Sequence, residues 1–207
     1  MVSSARSLCI SYLVGIATVS SAFQSSHILH TQSSTVQKSH LSNSASDVEE
    51  YLAANYPSCS NLLSNNGMKK IIKAEVGFTI FAPNEAAFAA LGEKKQNSLG
   101  DVRNSEVTEK IALYHVILEP VTADQLFNSG GIVTEGGDVI AERSVSGGFF
   151  GVGGKEDGGV TLNGAKVVKS LEFADGTKNG VIHEMDGFIS PSTMWRYVDQ
   201  LRIPGSN

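Results

Sequence analysis

The chain has 207 residues, a formal net charge of −5 and 41% hydrophobic residues, which suits one globular domain with tails. Its mild acidity and scattered lysines argue against nucleic acid as a partner, because a nucleic-acid-binding protein needs a basic face. The chain has two cysteines, Cys9 and Cys59, which are too few for a disulfide framework.

Residues 1–22 are predicted to be a signal peptide. Arg6 is the only charged side chain in them, and Leu8 to Val19 is a mostly apolar run of about a dozen residues. Ser20-Ser21-Ala22 then supplies small residues for a signal peptidase, so we expect cleavage after Ala22. A buried N-terminal helix is the alternative, but the polar tract that follows would leave it without a packing partner.

Residues 23–46 form a leader that is rich in serine and contains no Asp or Glu. Such a segment cannot bury enough apolar surface to offset its ordering entropy, so we expect it to be disordered. A solvated linker is one interpretation. A plastid transit segment is the other, because transit segments are Ser-rich and poor in acids. Phe23 directly after Ser21-Ala22 also resembles the cleavage motif of bipartite plastid presequences.

Helical signals open the predicted domain, which spans residues 47–191. Asp47 is predicted to cap a first helix that Pro57 ends. Two short helices follow, with Gly67 as the break between them. Phe78 to Ala82 is predicted to be a short buried strand, and Asn84 is predicted to cap the helix after it.

The middle of the chain alternates polar runs and short helices. Glu93 to Gln96 is a charged run that we interpret as a solvated loop. Ser105 is predicted to cap a helix that continues to His115. Thr122 is predicted to start a further short helix, which Gly130 ends.

The remainder of the domain is predicted to be β-structure. Its clearest feature is a hairpin around Asn163-Gly164, because this dipeptide suits a type I′ turn. Residues 192–207 are predicted to be a tail with a short helix. The other predicted elements are strands at Ile132 to Thr134, Val139 to Ala141, Val181 to His183 and Phe188 to Ile189, and a terminal helix at Thr193 to Arg202.

Three segments together resemble the fasciclin domain, in the order and at about the spacing of that family. They are Phe78 to Phe88, with Phe-Ala-Pro at its centre, Leu113 to Val116, with Tyr-His, and Asn179 to Pro191, with Asn-Gly-Val-Ile-His. The resemblance covers roughly Asp47 to Pro191. It implies an α+β fold, a fasciclin-like β-wedge of two packed sheets with several helices at one side.

The chain departs from the fasciclin pattern at several places. Glu85 stands where the family usually has Asn or Asp, and Ser190-Pro191 replaces Leu-Pro. The stretch Lys169 to Phe173 lacks the Asp-Ile pair of members linked to integrin binding, which puts integrin recognition in doubt. Gly147 to Gly159 is a Gly-rich segment that we expect to be a flexible hairpin loop.

Candidate site residues divide into two groups. We expect the two motif histidines to be buried, neutral and hydrogen-bonded to the backbone, with a ligand or catalytic base as the alternative. Tyr114 is interpreted either as core or as part of a partner surface. The candidate partner-binding residues are Tyr114, His115, Leu171, Glu172 and Phe173, and the candidate structural residues are His183, Asp186 and Asn84.

The sequence contains no pattern that predicts catalysis, a cofactor or a metal site. Gly154-Lys155 lacks the first glycine and the following Ser or Thr of a phosphate loop. His183-Glu184 has Gly187 where a zinc-protease helix needs its second histidine. An enzyme with Cys59 and His115 as nucleophile and base is a residual alternative. We therefore predict no enzyme and no cofactor.

The leading functional hypothesis is a non-enzymatic interaction module in cell adhesion or extracellular matrix organisation, with a protein or glycan at the cell surface or in the matrix as partner. The alternative is a plastid-targeted single-domain protein that binds an unknown protein or small molecule. No apolar run of 18 residues follows the leader, so no membrane span is predicted. No hydrophobic C-terminal tail predicts a lipid anchor. The oligomeric state is left open.

Overall fold

The computed structural model describes residues 36–38, 45–64, 66–74, 76–146, 155–174 and 179–200. The predicted signal peptide, most of the predicted leader, residues 147–154 of the Gly-rich segment and residues 175–178 lie outside these ranges. The helices in the described ranges are α1 (Ala45–Asn55), α2 (Pro57–Leu63), α3 (Asn66–Lys73), α4 (Glu85–Ala90), α5 (Glu93–Leu99), α6 (Ser105–Tyr114), α7 (Ala123–Ser129) and α8 (Ser192–Gln200), with a 3₁₀ helix at Val102–Asn104.

The strands form one mixed sheet, which confirms the α+β class. Their order across the sheet is β3-β2-β8-β7-β6-β5-β4, with β1 paired to β7. The pairs β2–β8 and β1–β7 are parallel and the others are antiparallel. The strands are β1 (Val36–Lys38), β2 (Gly77–Pro83), β3 (Val116–Ile117), β4 (Gly131–Thr134), β5 (Gly137–Ser146), β6 (Lys155–Leu162), β7 (Ala165–Ala174) and β8 (Asn179–Met185).

The sheet is nearly closed. The Glu135 N–H, just after β4, donates to the Val116 carbonyl of β3 at 2.9 Å. Because the first and last strands of the path meet at this bond, the sheet wraps around its own interior. This nearly closed arrangement positions the turn between β4 and β5 beside the end of α6.

The central strands are buried on both faces and separate two cores. On one face, Ile80 and Phe173 pack into a core that the helices α1, α2, α3 and α6 share. On the other face, Phe81 and Met185 pack with Leu126 of α7 and with the inner residues of β5, β6 and β7. A strand buried on both faces carries a continuous apolar run, which is why β2 was predictable from sequence.

Two turn and cap predictions are confirmed by the backbone. Asn163 and Gly164 have φ values of 48° and 88°, as a type I′ turn between β6 and β7 requires. Thr122 caps α7 through a capping box, in which its hydroxyl accepts from the Gln125 N–H and the Gln125 side chain accepts from the Thr122 N–H. The terminal helix is also present, as α8.

The charged run Glu93 to Gln96 is helical, so the prediction of a loop was wrong. Glu, Lys and Gln are good helix formers, and Gly92, with φ 77°, breaks the chain just before α5. The Gln96 side chain donates to the Phe88 carbonyl at 2.7 Å and ties α5 to α4. The prediction of a loop relied on charge alone and ignored helix propensity.

Gly67 lies inside α3 and does not separate two helices, so that prediction was wrong as well. A Cβ at this position would lie 2.9 Å from the Leu63 Cδ2 atom, so the glycine permits α2 and α3 to pack closely. Phe188 and Ile189 belong to no strand, contrary to prediction. Ile189 is buried instead in the core beneath the sheet.

Two residues predicted to be helix caps lie inside their helices. Asp47 lies in the first turn of α1, which begins at Ala45. Ser105 is the first residue of α6, and the cap position belongs to Asn104. The Asn104 side chain donates to the Ser98 carbonyl at 3.1 Å and therefore joins α5 to α6.

Order extends further than predicted in two segments. Val36–Lys38, within the leader expected to be disordered, forms strand β1 on β7. Lys155 to Gly159, within the Gly-rich segment expected to be a loop, belongs to β6. The first segment pairs with a strand remote in sequence, and the second pairs with the end of the preceding strand β5. Composition reports neither pairing. None of the helices in the described part of the chain is long and apolar enough to cross a membrane.

Candidate functional site

His183 joins three parts of the fold. It lies on β8 opposite Ser170 of β7, and the Ser170 Oγ is 2.7 Å from its Nδ1. Its Nε2 is 2.8 Å from the Val121 carbonyl, and its ring stacks on Phe81 at 5.4 Å. A carbonyl only accepts, so Nε2 carries the proton and Nδ1 accepts from the Ser170 hydroxyl.

Thr79 holds the same connecting segment from the neighbouring strand. Its hydroxyl donates to the Glu119 carbonyl at 2.7 Å and accepts from the Val121 N–H at 2.7 Å. Thr79 is fully buried on β2, and His183 bonds the Val121 carbonyl from β8. Two buried polar side chains therefore fix the segment between β3 and α7 onto the central strands.

His115 also joins separate segments through its two ring nitrogens, at the C-terminal end of α6. Its Nδ1 lies 2.8 Å from the Ile111 carbonyl, so Nδ1 carries the proton. Its Nε2 then accepts from the Ile189 N–H at 3.3 Å. The Phe188 ring packs edge-on against the imidazole at 5.4 Å. The two motif histidines are therefore neutral in opposite tautomers.

Burial determines the charge state of both rings. Desolvation lowers the pKa of His115 and of His183 to about 4, and the hydrogen bonds to backbone carbonyls only partly oppose it. Both imidazoles are therefore neutral at pH 7. The expectation of buried, neutral, backbone-bonded histidines agrees with this geometry.

The Ser170–His183 pair has the separation of a nucleophile and its base, but not their surroundings. The Val121 carbonyl orients the second ring nitrogen, as the acceptor of a catalytic triad does. A nucleophilic serine must also be open to substrate, and both side chains here are buried. Here the serine faces the protein interior, so the pair links β7 to β8.

Asn84 and Asp186 also form hydrogen bonds that hold the helices and strands of the domain together. The Asn84 Oδ1 accepts from the Ala87 N–H at 2.9 Å, which caps α4. Its Nδ2 donates to the Glu184 carboxylate at 3.3 Å. Asp186 accepts from the Lys166 N–H at 2.6 Å and so fastens the turn after β8 to β7.

Replacement of Asn84 by alanine is expected to lower the free energy of unfolding by about 1 kcal/mol, because α4 loses its cap. Asn84→Ser is the matched control, since serine can cap but cannot donate to Glu184 as the amide does. Urea unfolding of both variants gives the comparison. A loss as large for serine as for alanine would assign the effect to the Glu184 contact and contradict the cap.

Most of the candidate partner-binding residues lie inside the protein. Leu171 and Phe173 are buried in the helix-side core, and His115 is fully buried. These three side chains are not available at the surface of the folded domain. Tyr114 and Glu172 are partly exposed. Of the five candidates, only these two can touch a partner without a rearrangement.

Tyr114 supports the turn between β4 and β5. A Cβ at Gly136 would lie 2.5 Å from the Tyr114 backbone nitrogen, and one at Gly137 would lie 2.9 Å from its hydroxyl oxygen. The two glycines therefore allow the turn to lie directly on α6. The ion pair between Lys70 and Glu135, at 2.6 Å, fixes the same turn to α3.

The hairpin of β4 and β5 presents two large apolar side chains to solvent. Val133 is 72% exposed and Ile140 is 61% exposed. The register pairs Gly131 with Ile140 and Val133 with Asp138, so Val133 and Ile140 lie on one outer face. We call these two side chains the hairpin face. Sequence reasoning identified both strands but not this face, because Val133 and Ile140 lie in uninterrupted apolar runs that do not indicate which side chains face solvent.

Two clefts among the described residues are lined by other side chains. One of about 450 Å³ lies between α3, the 3₁₀ helix and α6, with Lys69, Asp101 and Glu109 among its lining residues. Another of about 210 Å³ lies between α7 and the β6–β7 hairpin. No group of three or more His, Cys, Asp or Glu residues in the described ranges could hold a metal ion.

The chain is similar to known proteins in sequence and in structure. The family model of the Fasciclin domain matches residues 54–191. The chain is 30% identical over 193 residues to Protein sll1483 of Synechocystis sp., a match that covers 92% of this chain and 99% of that relative. It also matches a FAS1 domain pair from the insect cell adhesion molecule Fasciclin I, at 20% identity and a TM-score of 0.44. This match covers 68% of the present chain and 46% of the solved one, so the chain spans less than half of the latter.

Proposed function

Because the chain belongs to the fasciclin domain family, we propose that it is a non-enzymatic interaction module that binds a protein or glycan in cell adhesion or extracellular matrix organisation. Fasciclin domains are generally non-catalytic interaction modules. The observation that carries the proposal is the hairpin face, where Val133 and Ile140 are exposed on the same side of two paired strands.

The hairpin face has the properties of a binding surface. Its turn is held by Tyr114 beneath it, by the Lys70–Glu135 ion pair and by the bond from Glu135 to Val116. A surface held in place loses little entropy when a partner binds. Complete burial of a valine or isoleucine side chain contributes about 1.5–3 kcal/mol, so two such residues can dominate a small interface.

The double substitution Val133→Glu and Ile140→Glu is expected to weaken partner binding by about tenfold or more, because two charges would be desolvated in the interface. Val102→Glu is the matched control, since Val102 is 85% exposed but lies on the 3₁₀ helix. Attachment of microspheres coated with the full chain to an extracellular matrix preparation measures the effect.

The two variants give distinct outcomes. The proposal expects attachment to be lost in the double variant and retained with Val102→Glu, with unchanged circular dichroism for both. Equal attachment of the double variant and the unsubstituted chain would remove the hairpin face as the binding surface. Failure of the unsubstituted chain to attach to matrix at all would count against the adhesive role.

The second candidate function is that of a plastid protein that uses the same domain to bind a protein or a small molecule. The acid-free leader and Phe23 after Ser21-Ala22 favour it. A fluorescent fusion of residues 1–46 separates the two candidates. Plastid fluorescence would eliminate the matrix role, and fluorescence in the medium would eliminate the plastid role.

A further inference from the structure

One edge of β7 lacks a partner from its own hairpin. β8 pairs with β7 from Val167 to Ala174, but β6 pairs with only two β7 residues, Ala165 and Lys166. β6 pairs with β5 as far as Lys155, but it does not pair with β7 beyond Lys166. The later part of β7 therefore has one paired edge and one edge that β6 does not cover.

The leader strand fills this edge. Val36–Lys38 runs parallel to β7, with residue 36 opposite Ser170 and residue 38 opposite Glu172. A strand edge with unpaired N–H and C=O groups is a template for another strand. The occupant of the edge is therefore a short segment that lies outside the family match at residues 54–191.

Strand β7, which would accept the donor strand, is fixed by buried contacts on both of its faces. Ser170 bonds His183 on one face of β7, and Leu171 is buried in the helix-side core on the other. A preorganised edge accepts a strand at a low entropic cost. The donor is short, because β1 has three residues, so its separation from β7 breaks few backbone contacts.

We propose that a second copy of the chain supplies its own Val36–Lys38 to this edge, which produces a strand-exchanged dimer. The donor segment already fits the edge in register, so the exchanged pairing repeats the contacts of the closed monomer. Six residues, 39–44, connect β1 to α1. When extended, they span about 20 Å, which permits the donor strand to reach a neighbouring copy.

The inference rests on the β1–β7 pairing and not on the hairpin face. It does bear on the proposed function, because one domain with one binding surface cannot bridge two partners. A strand-exchanged dimer presents two hairpin faces and would gain avidity without any new contact. The partner at the β7 edge is therefore a second copy of the chain, and the partner at the hairpin face is a different molecule.

Two forms of the full chain, each with one introduced cysteine, test the exchange in a Cys9→Ser background. Cys59 is retained and is buried, so it is protected from reagent. One form carries Lys38→Cys and the other carries Glu172→Cys, each with a tag of different mass. They are mixed, incubated and treated with the shortest bis-maleimide crosslinker. A covalent heterodimer forms efficiently only when residue 38 of one copy lies opposite residue 172 of another.

A control at a different position of β7 distinguishes the predicted strand register from crosslinking by random collision. Val168→Cys replaces Glu172→Cys in a parallel mixture, since Val168 is well exposed on the same strand but lies about 13 Å further along it. The proposal expects the heterodimer yield with Glu172→Cys to exceed that with Val168→Cys by about tenfold, because the short crosslinker requires close approach. The yield should also rise with protein concentration.

Two outcomes would overturn the inference. The first is an equal heterodimer yield in both mixtures, and the second is no heterodimer in either. A chain that carries both Lys38→Cys and Glu172→Cys measures the closed monomer, in which β1 pairs with β7 of the same molecule, because the crosslink then forms within one chain. Val133→Glu is expected to leave the heterodimer yield unchanged, so failure of the exchange and failure of the hairpin face are distinguished.

Discussion

Replacement of His183 by alanine is expected to lower the free energy of unfolding by about 3–5 kcal/mol. The substitution leaves a cavity against Phe81 and removes the partner of the buried Val121 carbonyl and of the Ser170 hydroxyl. Each buried polar group that loses its partner costs about 1–3 kcal/mol. Urea unfolding followed by circular dichroism measures the change.

Ser170→Ala is the matched control for this prediction. It removes one hydrogen bond of the ring but keeps the bond to Val121 and the stacking on Phe81. Its expected cost is about 1–2 kcal/mol, well below that of the histidine substitution. If His183→Ala lowered the free energy of unfolding by less than about 1 kcal/mol, the structural role of His183 would be contradicted.

The second large effect is a loss of stability in mild acid. The pKa of His115 and of His183 is lowered to about 4 in the folded protein, against an ordinary value of 6.5. The folded state therefore binds fewer protons than the unfolded state between these values, and stability falls as the pH falls. The contribution is fully present above about pH 6.5 and is lost progressively toward about pH 4.

The expected size is about 3 kcal/mol for each histidine, because one pKa unit corresponds to about 1.4 kcal/mol. Urea midpoints at pH 7 and about pH 4.5 measure most of this loss, which is large against a typical domain stability of about 5–15 kcal/mol. A carboxylate with a lowered pKa, such as Asp157 beside Lys166, contributes only in a lower window, because its ordinary value is 3.8. Equal midpoints at the two pH values would contradict the prediction.

Local sequence signals predicted the parts of the fold that local chemistry determines. The strand around Phe81 was visible as an apolar run, because both of its faces are buried. The cap at Asn84 and the turn at Asn163-Gly164 depend on one or two residues each. The α+β class was predicted from three motifs that occur in the order of the fasciclin family. No single element would have predicted it.

Contacts between remote segments could not be predicted in the same way. The Val121 carbonyl is 62 residues from His183, and nothing near either residue indicates that they meet. Leu171 and Phe173 are buried because one face of β7, beside β8 in the sheet, packs against the helices, so they looked like surface candidates only while the pairing was unknown. Strand β1 has three residues, which is too short for a periodic pattern.

The difference between prediction and structure clarifies where function can lie. The two motif histidines, His115 and His183, are buried. They form hydrogen bonds with the backbone and are not available to a partner. We propose that partner contacts are made by two surface features of the described residues, the hairpin face and the β7 edge. Only the resemblance to a family connects the motifs with a binding role, because their own side chains point into the protein.

The nitrogen NMR spectrum of the imidazole rings tests the central claim most directly, namely that the two motif histidines are neutral structural groups. At about pH 5, an exposed histidine is almost fully protonated. We predict that His115 and His183 are neutral at this pH, with the proton on Nδ1 in His115 and on Nε2 in His183. A protonated ring at either position, or rapid averaging of the two tautomers, would contradict this account.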